Sequence, residues 1–102
     1  MSRYILTGPA AKDIDEILDY IAAQSPQNAI AVAGRCMTAF ERISDAPGIS
    51  HRRDELKDRN ARILFVSGYL VIFDPFLSPV VILRVVRGAR NLGRIATRGK
   101  AP

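Results

Sequence analysis

The chain has 102 residues, of which 48% are hydrophobic and 25% charged, the balance of a globular protein and not of a disordered or membrane-spanning one. No apolar run approaches the roughly 20 residues that cross a bilayer, and Met1-Ser2-Arg3-Tyr4 carries no signal-peptide core, so the chain is expected in the cytoplasm. Cys36 is the single cysteine, which excludes an intrachain disulfide and a cysteine cluster for zinc; no metal or other cofactor is expected.

Net charge is +5, unevenly placed. Residues 1–50 hold four Lys or Arg against six Asp or Glu, a net of −2, whereas residues 51–102 hold eleven against four, a net of +7. A basic half suits an acidic partner, whether nucleic acid or an acidic protein segment. The length predicts one domain over 1–102 that buries roughly 65% of the surface of the unfolded chain.

In chain order, Arg3 to Thr7 read as a short strand, β-prone and led by Tyr4 and Leu6. Thr7 then offers an N-cap, with Pro9 in the first helical turn. Ile14, Ile17, Leu18 and Ile21 form one apolar stripe of the helix that follows, and Asp13, Asp15, Glu16 and Asp19 are expected on its solvent side. Ser25-Pro26 ends this helix and starts a second, whose stripe is Ala29, Ala33, Cys36, Met37, Phe40 and Ile43. The two make an antiparallel hairpin, closed by the turn residues Asp45-Ala46-Pro47-Gly48.

From Ile49 to Ala61 the chain is polar, with Leu56 the only large apolar anchor. His51, the sole histidine, reads as a surface residue beside Arg52 and Arg53. Arg62 to Val66, Ser67-Gly68 and Tyr69 to Phe73 form a hairpin with a two-residue turn, and Val80 to Arg87 returns as the last strand. The expected fold class is α+β: an N-terminal strand and an antiparallel helical hairpin packed on one face of a small antiparallel sheet, in the order β-α-α-β-β-β. Beyond Gly88, Leu92 and Ile95 suffice for one short helical turn, and a mobile basic tail is expected from about residue 96.

The last strand sets a problem. Val80 to Arg90 reads V-V-I-L-R-V-V-R-G-A-R, a run apolar enough to be covered on both faces, yet Arg84 lies in its middle. A guanidinium there must reach the rim, meet a carboxylate, or face a surface that a partner covers. One helical layer covers one face of the sheet, so the second face is expected to be an exposed apolar patch rimmed by arginines, a partner site or a self-association surface.

The ordered set Tyr4-x-Leu6-Thr7, Asp13-Ile14 through Ile17, Tyr20-Ile21-Ala22, Ser25-Pro26, Phe40, Glu55-Leu56, Arg62, Tyr69-Leu70-Val71 and Ile82-Leu83-Arg84-Val85 leading to Gly88-Ala89-Arg90 resembles the RelE/ParE superfamily of type II toxin–antitoxin toxins, and most closely its ParE branch. The resemblance implies a toxin held inactive by a cognate ParD-like antitoxin, whose acidic C-terminal segment would lie on the second sheet face in a hetero-oligomer. It also implies DNA gyrase as the target and no catalysis. RelE-like members are instead ribosome-dependent mRNA endonucleases, and that alternative stays open, as does a plain basic nucleic-acid-binding module. Residues 75–102 contain no His, Tyr, Asp, Glu or Cys, so the C-terminal proton-transfer group of many RNase members is missing, and arginine is a poor acid or base. The expected antitoxin or target contacts are Arg52, Arg53, Arg62, Tyr69, Arg84, Arg87 and Arg90. Two positions depart from the family pattern: Arg87 stands where histidine is frequent, and Asp74 where a basic residue is frequent, which leaves open either a pairing of Asp74 with Arg62 or Arg84 or a changed target surface.

Overall fold

Thr7 makes the first corner of the fold. It ends β1 (Tyr4–Leu6) after three residues and caps α1 (Gly8–Gln24), its Oγ1 accepting the Ala10 N–H at 3.1 Å while its hydroxyl donates to the Leu83 carbonyl at 2.9 Å. A single residue, Ser25, separates α1 from α2 (Pro26–Asp45). Its N–H donates to the Ile21 carbonyl at 2.8 Å, closing one helix, and its Oγ accepts the Asn28 N–H at 3.2 Å, opening the next. So short a connection folds the helices back into the expected hairpin. The computed structural model describes residues 3–88, 92–95 and 97; the tail expected from about residue 96 lies, except for Thr97, outside the described residues.

β2 (Arg62–Val66), β3 (Tyr69–Asp74) and β4 (Val80–Arg87) form an antiparallel meander, and the sheet order is β1-β4-β3-β2. β1 lies parallel to β4, Tyr4 opposite Val80, so the sheet is mixed at this one edge. The turn between β2 and β3 has Ser67 at φ 51° and Gly68 at φ 87°. Two left-handed residues in succession give the type I′ turn, whose twist matches that of the flanking strands.

The hairpin helices pack on one sheet face. Ile14 and Ile17 of α1 and Cys36, Phe40 and Ile43 of α2 meet Val71, Phe73, Val80, Ile82 and Val85, and Tyr4 sets its ring edge-on to Phe40 at 5.3 Å. Met37, expected on the buried stripe, is 60% exposed. The buried arc of α2 runs through Ala29, Cys36, Phe40 and Ile43, and Met37 falls past its edge because each helical step turns the side chain by about 100°.

The second sheet face corrects the expectation of an open apolar patch. Leu70, Ile72, Leu83 and Val86 are buried there beneath Leu56 and Ala61 from the 50–61 segment and Leu92 from the 3-10 turn Leu92–Arg94, with Ile95 packed alongside. Thr97 Oγ1 bonds Asp58 Oδ2 at 3.2 Å, joining the two covers. Leu56→Ala is therefore expected to cost about 2 kcal/mol, seen as a lower urea midpoint at constant m value. An unchanged midpoint would mean that this face is stable without its cover.

An arginine wall and a basic groove

β1 flanks β4 only from Val80 to Ile82. Past that point β4 also carries a bulge: Ile72 pairs with Arg84 and Phe73 with Ile82, which leaves Leu83 as the extra residue. The backbone groups that β1 does not reach find side chains instead. The Leu83 carbonyl accepts from Thr7, and the Val85 N–H donates to Asp13 Oδ2 at 3.0 Å. Asp13 also accepts Arg84 Nε at 2.6 Å and Nη2 at 2.9 Å. Arg84 thus meets a carboxylate. That fork raises the guanidinium pKa, against the opposing effect of desolvation, so the group stays charged at any physiological pH.

Asp13 is the correction here. It was expected in solvent with Asp15, Glu16 and Asp19, which are exposed; it turns to the sheet because it is the acid on the α1 flank nearest the uncovered stretch of β4. Asp74 is buried at the start of the turn between β3 and β4. Only 2% exposed, it accepts the Phe76 N–H at 2.8 Å.

Arg84, Arg87 and Tyr69 share one wall. Tyr69 lies opposite Arg87 in the ladder, and the Arg87 guanidinium sits 5.9 Å from the centre of the Tyr20 ring. With Asp13, Glu16 and Tyr20 they line a depression of about 270 Å³. The other expected contacts are elsewhere. Arg52 lies 3.5 Å from Asp54, and Arg53 forks onto Glu55 at 3.2 and 2.8 Å, a hydrogen-bonded pair that lowers the Glu55 pKa to about 2. Arg62 donates to the carbonyls of Arg59 and Ala61 and lies 5.2 Å from the centre of the Phe76 ring. It stands opposite Phe73, roughly 13 Å along β3 from Tyr69 at the strand rise per residue. Arg90 lies outside the described residues.

A larger groove, about 550 Å³, runs between α2 and the edge strand β2. Ala31, Gly34 and Thr38 give it a floor of small residues, Leu64 and Val66 an apolar side, and Arg35 and Arg42 its charge; no carboxylate lines it. Among the described residues neither arginine has an ion-pair partner. His51, a surface side chain as expected, closes part of the strand edge through its backbone, exchanging two 2.9 Å hydrogen bonds with Ile63. Phe65, two residues on, has its backbone on the same side by the period of the strand, and its ring is 60% exposed. That ring rests on Gly88, where an added Cβ would come within 2.7 Å of Cζ. Arg35 and Arg42 were not singled out from the sequence, although their i, i+7 spacing places both on one helical face.

The model of the ParE toxin of the type II toxin–antitoxin system parDE matches residues 4–92. The chain belongs to the ParE toxin family. The match ends at Leu92, so it takes in the wall, the groove and, of the cover of the second face, Leu56, Ala61 and Leu92. Among solved structures, a chain of the chromosomal ParDE toxin–antitoxin system from P. aeruginosa shares the fold of this ParE-family toxin, with a TM-score of 0.67 and 21% identity over 84% of this chain and 98% of that one. No curated protein matches it in sequence. No helix among the described residues is long and apolar enough to cross a membrane, and no group of three or more His, Cys, Asp or Glu among them is placed to hold a metal ion.

Proposed function

We propose that this toxin is neutralised by a cognate ParD-like antitoxin, whose acidic, amphipathic C-terminal segment lies in the groove between α2 and β2, and that the free toxin inhibits DNA gyrase without a catalytic step. The observation that carries the antitoxin reading is the groove itself: small-floored, apolar on one side, lined by Arg35 and Arg42 and by no acid, against an open strand edge at Phe65. A segment with apolar and acidic residues satisfies each of those features, by helix-in-groove packing or by strand addition. The second sheet face, where the antitoxin was first expected, has its own cover in Leu56 and Leu92.

Ser67 borders both the groove and the surface that leads to Tyr69 and Arg87, so a bound segment that follows the groove arrives at the wall. Arg87 and Tyr69 are its natural contacts there. Arg84 acts chiefly by holding the wall to α1 through Asp13. Arg52 and Arg53 are partnered within their own segment and offer a bound acid less.

The absence of a catalytic step is supported by the roles of the charged groups. The arginines do not release protons near neutrality, and Asp13 is engaged by Arg84 and Val85. Induction of the chain without antitoxin separates the readings. DNA-damage signalling with filamentation is the expected result; immediate translational arrest with cleaved mRNA would favour the endonuclease, and unimpaired growth would contradict both.

A further inference from the structure

At the end of the sheet away from the Ser67-Gly68 turn, the connection between β3 and β4 displays Phe76 and Leu77, 64% and 45% exposed. Neither side chain joins a core cluster, yet the turn that carries them is held in place. The buried Asp74 carboxylate accepts the Phe76 N–H, an Asx-type bond that fixes the turn. The Arg62 guanidinium lies against the Phe76 ring, and Arg62 is itself tied by Nη1 to the carbonyls of Arg59 at 2.8 Å and Ala61 at 3.0 Å. An aromatic ring ordered in advance and backed by a cation loses little freedom on binding.

The chemistry of the matching surface follows. Two adjacent apolar side chains at the tip of a turn suit a pocket, and with Arg62 against the Phe76 ring and Asp74 only 2% exposed, carboxylates at the rim of that pocket would complement the turn. Leu77 has no π-face to stack on a base, which favours a protein over a nucleic acid. The turn follows the Phe73 end of β3, whereas the groove and wall gather at the Tyr69 end, so one molecule offers two separate contact surfaces.

We propose that the Phe76–Leu77 turn, with Arg62 behind it, is the toxin's contact with its target protein, seated in an apolar, acid-rimmed pocket of gyrase and separate from the antitoxin groove. This rests on the gyrase reading above. The test measures supercoiling of relaxed plasmid by purified gyrase with the wild-type toxin and with the Phe76→Ser/Leu77→Ser double variant, alongside the affinity of each for the antitoxin and its urea midpoint. Both substitutions lie on the surface, so folding and antitoxin affinity are expected to stay within twofold of wild type, estimated as about zero core cost, while the concentration for half-inhibition rises at least about 10-fold. Equal inhibition by variant and wild type would overturn the turn's role and leave the gyrase reading standing. Loss of antitoxin affinity would assign the turn to the antitoxin surface and overturn the proposal. A wild-type toxin that does not inhibit gyrase would remove the gyrase reading and this contact with it.

Discussion

Asp13→Ala is expected to remove about 3 kcal/mol of stability and to lower the melting temperature by more than about 10 °C. One carboxylate takes two N–H groups of Arg84 and the N–H of Val85, beyond the point where β1 stops covering β4. Its removal leaves a strand amide without this acceptor and takes the two-bond carboxylate from a guanidinium whose side chain is 23% exposed and which also feels Glu16. That partial exposure keeps the cost toward the lower end of the range for breaking a buried pair. Asp13→Asn retains an acceptor for Val85 and is expected to lose an intermediate amount. Asp15→Ala and Asp19→Ala, on the exposed side of the same helix, are expected to change stability by less than about 0.5 kcal/mol. Equal effects of Asp13→Ala and Asp15→Ala in urea titrations would show that the pin between α1 and β4 contributes nothing.

Arg35→Glu/Arg42→Glu is expected to weaken antitoxin binding by about 100-fold, since each reversal replaces an attraction with a repulsion and costs roughly one decade. Neither arginine is ion-paired among the described residues, so the fold is expected to survive, and the variant should arrest growth even with antitoxin co-expressed. Calorimetric titration reads the affinity directly. Arg52→Glu/Arg53→Glu is the comparison, because those arginines already lie beside Asp54 and Glu55, and its effect should be smaller. A larger loss from the second pair would move the antitoxin off the groove and onto the 50–61 segment.

What the sequence makes legible is local. Thr7 and Ser25 announce their caps, Ser67-Gly68 its turn, and the stripes of both helices their buried sides, because each depends on spacings within one element. The cover of the second face is not legible. Leu56 and Leu92 are isolated apolar residues in polar surroundings, with no period to show which surface they meet. Asp13 is hidden for a related reason: it borders the apolar stripe of α1 beside Ile14 and Ile17, and whether a bordering acid meets solvent or sheet depends on the helix lying against a bulged strand whose Arg84 arrives 71 residues later. The demand of Arg84 for a partner can be read from V-V-I-L-R-V-V, whereas the identity of that partner requires the packing of α1 on β4. Arg35 and Arg42 do show a helical period, but it acquires meaning only once β2 is seen beside them as an uncovered edge.

The antitoxin site is tested most directly by amide hydrogen exchange on the toxin alone and in complex with its antitoxin. Protection on binding is expected over residues 31–42 of α2 and 64–67 of β2 and the turn after it, greatest at the Phe65 amide, with residues 56 and 92–95 on the covered second face unchanged. Protection confined to that second face, with α2 exchanging as freely as before, would contradict the groove as the antitoxin site.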